Sequence, residues 1–149
     1  MLKSNGLFAV FSFALVFAVS ACCHHDDDDD GGCPDLTVQE IDLNSLNVVC
    51  PGGAGTCVTT VSFTIENIGD ADAGPFNIRV VLDPSSSVEL NEFVNAGLDA
   101  GASLTVTVVS QPGGNCFDPD CTISVTVDNE DIISECDETN NQLSDTLIG

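Results

Sequence analysis

The sequence has no tryptophan and no tyrosine, and it sets only two lysine or arginine residues against 24 aspartates and glutamates, a formal net charge of −22. Each shortage excludes a class of function. Binding a phosphate backbone needs clustered Lys and Arg to displace counterions, so nucleic acid is excluded as a partner and anionic head groups are repelled. A glycosidase needs paired carboxylates in a cleft, and usually aromatics that stack on a sugar ring; the only aromatics are Phe, four of the eight within residues 8–17 and Phe63 and Phe76 at core-facing strand positions. The two histidines, His24 and His25, are adjacent and precede the domain, so no Ser-His-Asp or Cys-His set can be assembled within 33–149. No Gly-rich phosphate loop joins a strand to a helix. The chain is therefore expected not to be an enzyme.

What is present begins with a leader. Lys3 supplies a short positive region, and Gly6 to Ala18 is a nearly unbroken apolar run. That run is shorter than the roughly 20 residues a membrane-spanning helix needs. It ends in small residues, which fits a cleaved signal over 1–21. Val19-Ser20-Ala21-Cys22 resembles the lipobox of bacterial lipoproteins. The resemblance implies cleavage before Cys22 and attachment of a diacylglyceryl group to its sulfur. Several acyl chains at roughly 0.8 kcal/mol per buried CH₂ hold a protein firmly to a membrane. An ordinary signal peptide, cut after Ala-x-Ala-like residues, is the competing reading. The expected location is the cell envelope, membrane-anchored at the outer membrane or cell surface.

Residues 22–32 read as a tether. Asp26 to Asp30 are five consecutive carboxylates, which cannot share a packed surface, and Gly31-Gly32 adds flexibility. The His24-His25 pair beside them has no fixed geometry for a metal. Lys3 leaves with the leader, so Arg79 is the only fixed cation of 22–149. It alternates away from the core on its strand and is expected to pair with a neighbouring carboxylate.

Eight cysteines in an exported chain indicate disulfides. With Cys22 assigned to lipid, Cys50 and Cys57 flank one short Gly-rich loop, and Cys116 and Cys121 flank another. Bridges across such loops contribute about 2–2.5 kcal/mol each in the chain-entropy model. Cys33 and Cys136 would then pair across most of the domain, which leaves Cys23 odd. Zinc is disfavoured, because these spacings are not the tight Cys-x₂-Cys knuckles of zinc sites.

Beyond Cys33 the hydrophobic period is two. Val61, Phe63 and Ile65 alternate with Ser62 and Thr64; Phe76, Ile78, Val80 and Leu82 follow the same rule. So do Leu104, Val106 and Val108, then Ile123, Val125 and Val127; Leu36, Val38, Ile41 and Leu43 form a weaker first strand. Turn formers separate the runs at 69–75, 83–85 and 111–114. The pattern predicts an all-β fold over 33–149, a seven-stranded antiparallel immunoglobulin-like β-sandwich. In that topology the loops at 50–57 and 116–121 share one end, and Cys33 and Cys136 the other.

Pro34-Asp35-Leu36-Thr37-Val38, then Val61 to Gly69, Ala73-Gly74-Pro75-Phe76 and Leu98 to Ser103 carry a family resemblance. The ending Glu135-x₂-Glu138-x-Asn140-Asn141 is its most specific part. Together they resemble the CARDB domain, a cell-adhesion-related domain found in bacteria. The resemblance spans nearly all of 34–148. It implies a seven-stranded Ig-like sandwich in extracellular proteins, usually repeated; here one copy is present, with extra cysteines and no catalytic domain beside it.

The segment 128–141 is rich in oxygen donors. Asp128, Glu130, Asp131, Glu135 and Glu138 are candidate calcium ligands, since Ca²⁺ takes 6–8 oxygens. The spacing is not that of an EF-hand, and the same side chains can instead cap tight turns. The expected function is a lipid-anchored, non-catalytic module for adhesion or for binding a protein or glycan. No cofactor other than calcium is implied. The alternatives are a calcium-dependent binding module and an accessory subunit of an envelope hydrolase.

Overall fold

Alternation dictates the strands. In β2 (Val58–Asn67) every second residue from Thr59 to Asn67 is buried, and the residues between face outward. β3 (Phe76–Asp83) and β6 (Cys121–Val127) bury one face in the same way. β-branched and aromatic residues fill these slots and suit a pleated, half-buried surface. The computed structural model describes residues 31–53, 55–83, 88–114, 116 and 120–149. The leader 1–21, Cys22, Cys23 and Asp26 to Asp30 lie outside them.

Seven strands form two antiparallel sheets, completed by β1 (Leu36–Val49), β4 (Val88–Val94), β5 (Ser103–Val109) and β7 (Gln142–Leu147). One sheet has the order β1-β2-β5 and the other β4-β3-β6-β7. This is the immunoglobulin-like sandwich, and no helix occurs among the described residues. The core lies between the sheets, with Phe63, Ile65, Phe76, Ile78, Leu82 and Ile123 the largest of its wholly buried side chains besides Leu36. Burying each contributes up to about 1.5–3 kcal/mol.

Two strands differ from the sequence expectation. β1 runs on to Val49, well beyond Leu43, through register shifts at Val38/Glu40 and Asp42/Asn47. The second shift is stitched from within: Asn44 N donates to Asp42 Oδ1 at 3.0 Å, and Ser45 Oγ accepts from Ser62 N at 2.7 Å. β4 has no clear alternation, because Glu92 lies opposite core-facing Ile78 and Phe93 is exposed on the outer face. An inward-pointing charge on an edge strand disfavours pairing with another chain. On the same outer face Arg79 pairs with Glu89 at 3.0 Å, and the hydrogen bond from Arg79 lowers the Glu89 pKa.

The two ends of the sandwich are chemically unlike. At one, Cys50 is joined to Cys57 and Cys116 to Cys121. There Gly113 N donates to Cys57 O at 2.9 Å, and buried Thr59 donates to Gly114 O, which ties the two stapled loops together. At the other end lie the loops 68–75, 95–102 and 128–141, where most of the loop carboxylates sit. Gly97 belongs there because of a close approach: its φ is +70°, and a Cβ would strike the Ala73 carbonyl.

Candidate functional site

Residues 33–37, the first of the domain, lie between two loops and are bonded to both. On one side is the β2–β3 loop. Cys33 N donates to Asp70 Oδ1 at 2.9 Å, Asp70 N returns a bond to Cys33 O at 3.2 Å, and Ile68 N donates to Asp35 O at 2.7 Å. Asn67, wholly buried at the end of β2, is the hub. Its Oδ1 accepts from Asp35 N and Gly69 N, while its Nδ2 donates to Ala71 O and Leu98 O, all at 2.8–3.1 Å. Gly69 is required by proximity, since a Cβ there would collide with the backbone of Cys33 to Asp35.

On the other side is the β6–β7 loop. Leu36 N donates to Glu135 Oε2, Asn140 Nδ2 to Asp35 Oδ1 at 2.7 Å, and Thr37 Oγ1 to Asn140 O at 3.3 Å. Cys136 N donates to Pro34 O at 2.9 Å, and a disulfide joins Cys136 to Cys33 with Cα atoms 5.5 Å apart. The signature Glu135-x₂-Glu138-x-Asn140-Asn141 thus has a local purpose: it grips the strand that opens the domain.

The candidate calcium ligands are placed as follows. Asp128 is buried with φ +41°, and its two oxygens accept from Ile132 N at 3.1 Å and Ile133 N at 2.7 Å. Asp tolerates this left-handed conformation because its short side chain bonds locally. Asp131 also has positive φ, at +54°. Glu130 N donates to Asn77 Oδ1 at 3.4 Å, and the residue is exposed. Glu138 Oε1 accepts from Glu135 N at 2.8 Å. Asp137 Oδ1 accepts from Thr139 N and Oγ1, which lowers its pKa. Most of these carboxylates therefore cap backbone N–H groups, and Asp128 and Glu138 also stand close to Glu135.

Glu135 is the perturbed group. Its Oε1 accepts from Asn141 Nδ2 at 2.7 Å. Burial raises its pKa to about 7, with the negative charges of Glu138 and Asp128 adding to the rise and the bonds from Leu36 and Asn141 opposing it. Beside it, Asn140 Oδ1 and Asn141 Oδ1 are buried and lack hydrogen-bond partners. Asn67 and Asn140 were not recognisable as parts of one junction, because they share Asp35 as a partner only when β2, the β6–β7 loop and the opening strand are brought together.

Among the described residues, one group of three side chains of metal-binding type has its ligand atoms within 4.8 Å: Cys33, Asp70 and Cys136. Both sulfurs are joined to each other, so only the carboxylate remains free to ligate.

Fold and junction together define a disulfide-stapled Ig-like module whose opening strand is clasped between loops of both sheets. The particular family is CARDB: its profile matches residues 33–145, and the chain belongs to it. Such domains are generally non-catalytic modules of cell-surface proteins. The CARDB domain of a Pyrococcus furiosus protein, in complex with di-metal ions, has a similar crystal structure. It is 21% identical with a TM-score of 0.54, covering 78% of this chain and 93% of that one. A domain of a Methanosarcina acetivorans protein described as a cell surface protein is 25% identical, with a TM-score of 0.53 over 78% and 91% of the two chains. No curated protein matches the chain in sequence.

Proposed function

We propose that this protein is a lipid-anchored envelope protein that displays its CARDB sandwich as a non-catalytic module for adhesion to a protein or glycan. The observation that carries the reading is the junction itself: the polyaspartate and Gly-Gly segment ends at the residue where the chain is clasped into the sandwich. The anchor is Cys22. Its test is metabolic labelling with a fatty acid analogue together with membrane fractionation. The wild type should be labelled and membrane-bound, and Cys22→Ala unlabelled and released; a Cys22→Ala protein that stays labelled and bound overturns the anchor. Labelling of intact cells with a membrane-impermeant reagent tests display, and protection until the outer membrane is permeabilised refutes it.

A second reading is favoured by the two unpartnered oxygens. Asn140 Oδ1 and Asn141 Oδ1 are buried and unpartnered, and with the carboxylate of Glu135 they are oxygen donors of the kind a hard cation takes; a CARDB relative is known in complex with di-metal ions. Asp128 and Glu138 would supply negative charge, with Glu130 and Asp131 on the same loop. A cation here would rigidify the grip on the opening strand. Melting temperatures in calcium, magnesium and chelator at fixed ionic strength test it. A calcium-specific rise is expected in the wild type and not in Asn141→Ala; no rise beyond that in magnesium removes the reading.

A further inference from the structure

We infer that the Cys33–Cys136 junction is a load shunt, which passes tension arriving from the amino-terminal segment to β7 without routing it through β1 to β6. The inference rests on the anchored-tether reading only for the origin of the tension; the bonding itself does not depend on it.

The argument is topological. The disulfide closes a loop with a sequence separation of 103, and β1 to β6 all lie between its two cysteines. Force applied between the segment before Cys33 and the chain beyond Cys136 follows the sulfur–sulfur bond. It then runs into β7, and β1 to β6 are off that path.

Without the bond the geometry would be poor. β1 is an edge strand, hydrogen-bonded in its sheet only to β2. A pull on its first residue would be borne by that one seam alone. The disulfide ties the pulled residue instead to the loop between β6 and β7, so tension also reaches the second sheet.

The non-covalent bonds reinforce the same point. Cys33, Asp35 and Leu36 present backbone N–H groups to Asp70 in the β2–β3 loop, Asn67 at the end of β2 and Glu135 in the β6–β7 loop, so the junction touches both sheets. A staple placed only for global stability has no reason to coincide with such a cross-sheet junction at the first residue after the polyaspartate and Gly-Gly segment. Cys136 is exposed and Cys33 half-buried, so a reductant can reach the shunt and open it.

Single-molecule stretching of the full-length protein tests this, with ligation handles inserted between Gly31 and Gly32 and after Gly149. In oxidised protein the extension should be limited to residues 137–149, roughly 45 Å at about 3.5 Å per residue. In Cys33→Ser/Cys136→Ser a further step on the order of 300 Å should appear as β1 to β6 unravel. Should that variant not fold, the wild type held at constant force while dithiothreitol is added gives the same comparison, and the long step must follow the reductant. A long step in oxidised protein, or none after reduction, overturns the inference. Membrane release of Cys22→Ala is read separately, so loss of the anchor reading leaves the stretching result standing, and the reverse holds too.

Discussion

Asn67 concentrates more of the junction than any other single residue. It is wholly buried and spends its amide on four backbone groups from three segments. Leaving buried donors and acceptors unpaired costs about 1–3 kcal/mol each. Asn67→Ala should therefore lower stability by at least about 3 kcal/mol, read as a drop in the urea midpoint without a change in slope. Glu135 makes a different prediction. Its folded pKa, about 7, is raised above its ordinary value, so the folded state holds the proton more tightly than the unfolded chain. The stabilisation is complete below the ordinary carboxylate range and is lost as pH rises through about 7. Wild-type stability should thus climb on acidification from pH 8 toward pH 5, and Glu135→Gln should flatten that climb. Protonated Glu135 can donate to Asn141 Oδ1 once that amide turns over, and Gln can do the same, so the neutral variant keeps the junction. An unchanged slope in the variant would assign the pH dependence to other groups.

At the scale of elements, β2, β3, β5 and β6 were legible because each carries at least three apolar residues in strict alternation on one face, which shows without any tertiary information. β4 was not. As an edge strand it tolerates Glu92 in a core-facing slot, since the side chain escapes at the rim. The far half of β1 was hidden by the register shift at Asp42/Asn47, where the inward set changes parity. The acidic segment was legible as chemistry but not as contacts: Asp128 and Glu138 turned out to serve backbone N–H groups a few residues away, whereas Glu135 serves Leu36, at the other end of the domain. The disulfides belong to this scale too. In the chain-entropy model the Cys33–Cys136 bridge contributes about 4–5 kcal/mol and either short-loop bridge about 2–2.5. Paired serine substitutions should rank in that order by denaturant midpoint. Gly69→Ala should resemble the larger loss, because a Cβ there displaces Cys33 to Asp35 and misaligns the cysteine pair. A Gly69→Ala protein as stable as the wild type would mean that the opening segment can shift without cost.

For the whole molecule, charge and covalent stapling are set against each other. The formal charge is −22, and the loops around the junction hold Asp70, Asp72, Asp99 and the carboxylates of 128–138, whereas residues 48–60 include no charged residue. Repulsion is therefore greatest where β1 begins and where the loops of both sheets converge. The long disulfide holds that end shut against it; the bridges at the opposite end do not. Salt screens such repulsion over a Debye length of about 10 Å at 0.1 M, so the benefit of added salt depends on what else holds the acidic end together. Raising monovalent salt from about 10 mM to about 0.15 M, which shortens screening from roughly 30 Å to 8 Å, should raise the melting temperature of every form. The rise should be largest for Cys33→Ser/Cys136→Ser and should differ little between the wild type and Cys50→Ser/Cys57→Ser. Equal rises in all three would show that repulsion is spread evenly over the surface. A larger rise in the Cys50→Ser/Cys57→Ser form would place the stress at the less charged end, against the distribution of carboxylates. The expected order instead makes the junction the point where a polyanionic sandwich would otherwise come apart.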